Sequence, residues 1–167
     1  MGRVPTYDPN EPKGLWMSSL SWAARQRPVT WFLVNIGNKI DPYLMRATGG
    51  RVKSTISAPT VLLTHTGAKS GKKRTTPLAY FTDGDDVVII ASKGGAESHP
   101  AWYHNLKAHP EVEASTDGNP EPYVAREADG AERDRLWDLA TTLYSGYADY
   151  QRRAPERRIP VMVLEPR

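Results

Sequence analysis

Thr76-Pro77-Leu78-Ala79-Tyr80-Phe81-Thr82-Asp83-Gly84-Asp85-Asp86-Val87-Val88-Ile89-Ile90-Ala91-Ser92-Lys93-Gly94-Gly95 is the stretch on which the fold turns. Two apolar runs of strand length, Thr76 to Phe81 and Val87 to Ala91, flank Asp83-Gly84-Asp85, which reads as a hairpin turn. The second run ends on a glycine pair, where backbone is free to approach a ligand closely. Working outward, Val61 to Thr64, Glu111 to Ser115, Pro122 to Arg126 and Ile159 to Leu164 have the same short-strand character. Asp117-Gly118-Asn119 supplies another turn. Pro100 to Ala108 reads as a short helix opened by proline. Ala131 to Tyr144 reads as a longer helix, with Leu136, Trp137, Leu139, Ala140 and Leu143 available to one face. Short strands with flanking helices predict an α+β, mainly β fold: a small antiparallel barrel with helices packed outside.

Toward the N-terminus the pattern changes. Residues 1–14 mix prolines, glycines and charges and are expected to form a flexible tail. Residues 15–167 are expected to form one domain, since 167 residues suit a single core. Within it, Leu15 to Arg27 and a second segment after Pro28 have helical spacing, giving amphipathic helices over 15–47. Trp16, Trp22 and Trp31 suit either a membrane interface or packing on a sheet. No apolar run reaches the ~18 residues that span a bilayer, and the first residues lack a signal-peptide core, so a cytoplasmic protein, peripheral at most, is expected.

Net charge is +3, from 22 Lys and Arg against 19 Asp and Glu, and decides little. Its distribution decides more: between Pro42 and Thr82 there is no acidic residue, while Arg46, Arg51, Lys53, Lys69, Lys72, Lys73 and Arg74 fall there. A one-signed stretch favours an anionic ligand or lipid surface over nucleic acid, because no nucleic-acid motif accompanies it. The chain has no cysteine, so thiol catalysis and thiolate metal sites are excluded, and any redox chemistry must come from a bound organic cofactor.

Two corners carry what chemistry the sequence offers. Thr66-Gly67-Ala68-Lys69-Ser70-Gly71-Lys72-Lys73-Arg74 fails the phosphate-loop pattern, having three residues between its glycines rather than four. It reads as a hairpin tip presenting N–H groups, Ser70 and lysines. The second corner, Ser92-Lys93-Gly94-Gly95, leads into Trp102, Tyr103 and Asn105, a ring wall and an amide beside it. His99, His104 and His109 step by five, which rotates ~140° around a helix, so they do not converge on a metal. No dinucleotide fingerprint follows a strand and no Gly-x-Ser-x-Gly elbow occurs. Tyr144, Tyr147 and Tyr150 step by three; they suit packing, or hydrogen-bond donation to a carbonyl, quinone or nitro oxygen.

Taken together, Thr66-Gly67-x-Lys69-Ser70-Gly71, Arg74-x-x-Pro77-Leu78, Ala91-Ser92-Lys93-Gly94-Gly95-Ala96-Glu97, Pro100-x-Trp102-Tyr103-x-Asn105-Leu106 and the three tyrosines resemble the deazaflavin-dependent nitroreductase family over roughly Pro59 to Pro166. The resemblance implies a split β-barrel of the FMN-binding-like type and an actinobacterial host. The cofactor it implies is coenzyme F-420, an 8-hydroxy-5-deazaflavin with a polyanionic tail. It assigns cofactor contacts to Ala68, Lys69, Ser70, Arg74, Thr75, Thr76, Pro77, Leu78, Ala79, Ile90, Ala91, Ser92, Lys93, Ala101, Trp102, Tyr103, His104 and Asn105. Tyr147 would cap the ring, with Ser92, Tyr144 and Tyr150 beside the substrate. Ala68 stands where relatives place arginine, Ala101 replaces a bulkier apolar residue and His104 an apolar one; these departures bear on acceptor range. The activity implied is hydride transfer to a hydrophobic small molecule: a quinone, nitroaromatic or enone. An FMN enzyme on a similar barrel and a non-catalytic deazaflavin carrier are the alternatives.

Overall fold

The computed structural model describes residues 4–7 and 59–167, so the expected helices over 15–47, and most of the tail expected at 1–14, lie outside the described residues. Strands β1 (Thr60–Thr66), β2 (Lys73–Asp83), β3 (Asp86–Ile90), β4 (Glu111–Ser115), β5 (Glu121–Glu127) and β6 (Val161–Pro166) are joined by three helices. These are α1 (Ala101–Ala108), α2 (Gly130–Leu143) and α3 (Gly146–Arg153). The strands close into an antiparallel barrel in the order β1-β2-β3-β6-β5-β4. The Asp83–Asp86 turn that joins β2 to β3 works because Gly84 takes φ +62°, a left-handed conformation that costs glycine nothing.

Strand alternation sorts the apolar side chains into two cores. Inside the barrel Val61, Leu63, Tyr80, Val87, Ile89, Tyr123, Met162 and Leu164 pack together, and α1 adds Trp102 and Leu106 to them. On the outer face of the β2-β3-β6 wall, Phe81, Val88, Ile90, Val161 and Val163 are covered by Leu136 and Ala140 of α2 and by Tyr147 and Tyr150 of α3. Leu63 is fully buried, so truncating it to alanine is expected to cost about 2–5 kcal/mol.

The barrel is closed, but β2 and β3 part at one end and leave a seam between them. The β2–β3 ladder ends at Tyr80–Ile89, yet β2 extends seven residues beyond that pair to Lys73 and stays in register with β1 down to Thr66–Lys73. β3 meanwhile turns toward β6, where the Ala91 N–H donates to the Pro160 carbonyl at 3.0 Å. The β1–β2 tip and the residues that follow β3 therefore lie at the same end of the barrel.

The expected strands all form, most of them longer by one to three residues at an end. The long C-terminal helix forms over Gly130–Leu143, within a residue of the expected 131–144, and a separate helix starts at Gly146, so Tyr144 precedes the helix that carries Tyr147 and Tyr150. At this break the Tyr144 ring lies against Gly146, where a Cβ would fall inside it, so glycine lets the ring seat there. No helix among the described residues is long and apolar enough to cross a membrane.

Candidate functional site

The tip between β1 and β2 is closed by its own backbone. The Gly67 N–H donates to the Lys72 carbonyl at 2.9 Å and the Gly71 N–H to the Gly67 carbonyl at 2.8 Å. This leaves Ala68, Lys69, Ser70, Lys72 and Lys73 exposed. Lys73 is held at 3.1 Å by Glu113 of β4, the other neighbour of β1, whereas Lys69, Lys72 and Arg74 meet no carboxylate among the described residues. Of the cations read from the sequence, those among the described residues are thus concentrated on one tip.

Helix α1 ties this tip to the barrel. Asn105, buried, accepts from the Ala68 N–H through Oδ1 at 2.8 Å and contacts His65 Nδ1 through Nδ2 at 3.1 Å. His65 in turn reaches Thr76 Oγ1 through Nε2 at 3.1 Å. Because the Asn105 amide nitrogen can only donate, Nδ1 is the acceptor and the proton sits on Nε2. Burial, with the Arg74 charge adding to it, lowers the His65 pKa to about 4, so the ring is neutral at physiological pH. Register explains the meeting: His65 faces Arg74, and Leu63 faces Thr76, on the inward side of the β1–β2 pair. His65 was not singled out in the sequence, although its partners Asn105 and Thr76 were expected at the cofactor; alternation inward from Val61 and Leu63 was the signal available.

The residues after β3 form a second, rigid feature. Lys93–Gly95 make a short 3-10 turn in which Lys93, Gly94 and Gly95 all have positive φ (49°, 64° and 80°). A Cβ on Gly95 would lie 2.7 Å from the Tyr150 carbonyl oxygen, so glycine lets this ledge seat directly on α3. The ledge is clamped from beneath by Arg157, a buried residue that sequence reading missed. The tyrosines stand next to it. Tyr144 and Tyr150 share a hydroxyl–hydroxyl contact of 3.1 Å, and the Tyr147 ring meets Tyr144 edge-on at 5.3 Å between centroids. Tyr147 is enclosed in the outer core, where burial and then the nearby Tyr150 push its phenol above the usual range. Tyr144 is only half buried and forms the rim of the cluster.

The remaining expected contacts separate by strand face. Thr76 and Leu78 share the inward side of β2 with Tyr80, while Pro77 and Ala79 lie on the face opposite; Thr75 bonds Thr64 through its hydroxyl at 3.0 Å. Ala91 is buried at the end of β3, and Ile90 belongs to the outer core. Ala101 and His104 are exposed on α1, and Trp102 belongs to the inner core. Tyr103 donates to Glu127 at 2.9 Å; burial, then that carboxylate, raise its pKa to about 12. Elsewhere a cavity of about 270 Å³ lies between α1, α2 and the start of β6, lined by Lys107, Glu127, Asp129, Arg133 and Arg158. Its opposed charges are paired, Lys107 with Glu127 and Arg158 with Asp134.

Comparison with known proteins bears on what this arrangement does. A family model described as F420H(2)-dependent quinone reductase matches residues 39–166. A Mycobacterium tuberculosis protein named as an F420H(2)-dependent quinone reductase is 41% identical over 131 residues, covering 75% of this chain and 87% of its own. A solved structure described as an F420-H2 dependent reductase is 45% identical, with a TM-score of 0.58, over 64% of this chain and 94% of that one. Another, described as a domain-swapped dimer, is 39% identical with a TM-score of 0.61, over 83% of this chain and 99% of its own.

Proposed function

The chain belongs to the F420H(2)-dependent quinone reductase family, and from that membership we propose how its own residues serve the reaction. It is an oxidoreductase that uses coenzyme F-420 and reduces a quinone-type acceptor. When bound, the reduced coenzyme supplies a hydride. Everything else is orientation and charge.

The donor set fits such a cofactor. A polyanionic tail needs cations not already neutralised, and Lys69, Lys72 and Arg74 are of that kind among the described residues. Ser70 and the N–H groups of the tip add neutral donors. The edge of β2 from Arg74 to Ala79 and the Ala91–Lys93 ledge flank the seam where the β3 ladder stops, and a flat ring is assigned there. Asn105 sets the tip relative to the barrel through the Ala68 N–H.

At the acceptor the Tyr144 hydroxyl donates a hydrogen bond to the oxygen that gains negative charge, with Ser92 placing the acceptor. Tyr150 orients that hydroxyl through their 3.1 Å contact. Tyr147, kept a phenol by burial, forms the wall behind them. Such a donor is worth most in a dry site, where charge stabilisation is little screened. No side chain is assigned a covalent role.

The observation that carries this reading is the Ala68–Asn105 bond, which brings the cationic tip against the helix that follows the ledge. The test mixes protein, reduced coenzyme and menadione and follows return of the oxidised chromophore. Tyr144→Phe is expected to lower kcat about tenfold to a hundredfold while cofactor affinity changes less than threefold. Unchanged kcat removes Tyr144 from the chemistry, and tight binding with no acceptor-dependent oxidation leaves only a carrier.

A further inference from the structure

Arg157 sits in the connection between α3 and β6, buried to 8% exposure, with no carboxylate partner among the described residues. Its guanidinium is spent almost wholly on the ledge. Nε donates to the Ala96 carbonyl at 3.1 Å, Nη1 to the Ala91 carbonyl at 3.1 Å and Nη2 to the Ser92 carbonyl at 2.8 Å. Nη1 also donates to His99 Nδ1 at 3.0 Å. Four of the five N–H donors of a planar fork are therefore used, all on the segment from Ala91 to His99.

Such a clamp determines which way the peptides face. In a trans peptide the carbonyl and the following N–H point in opposite directions. Drawing the Ser92 carbonyl inward onto Nη2 therefore turns the Lys93 N–H outward, away from the guanidinium. That N–H has no acceptor among the described residues, and the Lys93 side chain is tied back to Ser98 at 2.8 Å. Positive φ at Lys93, which a non-glycine residue adopts reluctantly, is part of the same arrangement. A ledge with three successive left-handed residues would relax if nothing held its carbonyls.

We propose that Arg157 is the positioning residue of the redox site: it locks the Ala91–Ala96 ledge so that the Lys93 amide N–H faces a ligand oxygen, a ring carbonyl of the cofactor or the oxygen of the acceptor. This rests on the ledge belonging to the site proposed above. Arg157 touches neither ligand and acts only through the backbone. A lysine in its place keeps the charge but not the fork, so the ledge loses most of the ties that Arg157 makes, while Arg153 still reaches the Gly94 carbonyl.

The test compares wild type with Arg157→Lys by amide hydrogen exchange and by the fluorescence of oxidised coenzyme F-420 on titration. Exchange of the amides at 92–97 is expected to rise about tenfold, with Ile89 and Val163 of the barrel unchanged. The cofactor Kd, or the KM for menadione, is expected to rise about tenfold, while kcat per folded molecule changes less than threefold. Unchanged exchange at 92–97 overturns the clamp. Faster exchange with Kd and KM both unchanged keeps the clamp but removes the ledge from the redox site. Should Arg157→Lys fail to fold, His99→Phe removes one of the four acceptors; it should raise exchange in the same segment about threefold, and no rise there overturns the proposal.

Discussion

Acid should unfasten this protein at His65. Its pKa is about 4 in the fold and 6.5 in an unfolded chain, so between those values the unfolded state binds the proton and the folded state does not. Stability therefore rises with pH across this window and is lost as pH falls through 6.5 toward 4. A shift of that size corresponds to about 3 kcal/mol once both states are titrated, at ~1.4 kcal/mol per unit. Between pH 7 and pH 5 the loss is about 2 kcal/mol. The structural cause is specific: a protonated Nδ1 would direct an N–H at the Asn105 amide nitrogen, itself a donor. Turning that amide over would instead remove the acceptor of the Ala68 N–H. Urea unfolding of wild type and His65→Gln at pH 7 and pH 5 isolates the effect, because the other titrating groups are common to both proteins. Wild type should lose about 2 kcal/mol more than the variant over this interval. Parallel losses, within about 0.5 kcal/mol, would refute both the buried neutral imidazole and its coupling to the tip.

Other substitutions probe the remaining parts. Gly146→Ala places a methyl where the Tyr144 ring lies, so menadione turnover should fall about tenfold, with F-420 affinity within threefold by fluorescence titration; equal losses in both would show that the ring does not act at the acceptor alone. Lys69→Gln with Lys72→Gln should weaken F-420 binding and flatten its dependence on salt, measured by titration from 50 to 300 mM NaCl, since exposed charges act through a screened field; an unaltered salt slope places the tail elsewhere. Gly95→Ala forces a Cβ to within 2.7 Å of the Tyr150 carbonyl oxygen at φ +80°, and should lower stability by about 1–3 kcal/mol in urea unfolding.

Chain order alone announced the barrel. Short apolar runs broken by Asp-Gly turns are a local property, and burying runs of strand length leaves few arrangements besides closure. The acid-free basic stretch likewise pointed to an anionic ligand before any coordinates, because charge is carried by composition. What stayed hidden depends on partners distant in sequence. His65 gains its neutrality from Asn105, 40 residues away, and Arg157 finds the Ser92 carbonyl at a separation of 65. Alternation along β1 could place His65 inward but not name its partners, and no local pattern marks Arg157, since each acquires its role only when the fold removes water around it. The seating of Tyr144 belongs to the same class. The sequence ends the long helix at Tyr144, but that its ring comes to rest on Gly146, where any larger residue would clash, is decided by tertiary packing.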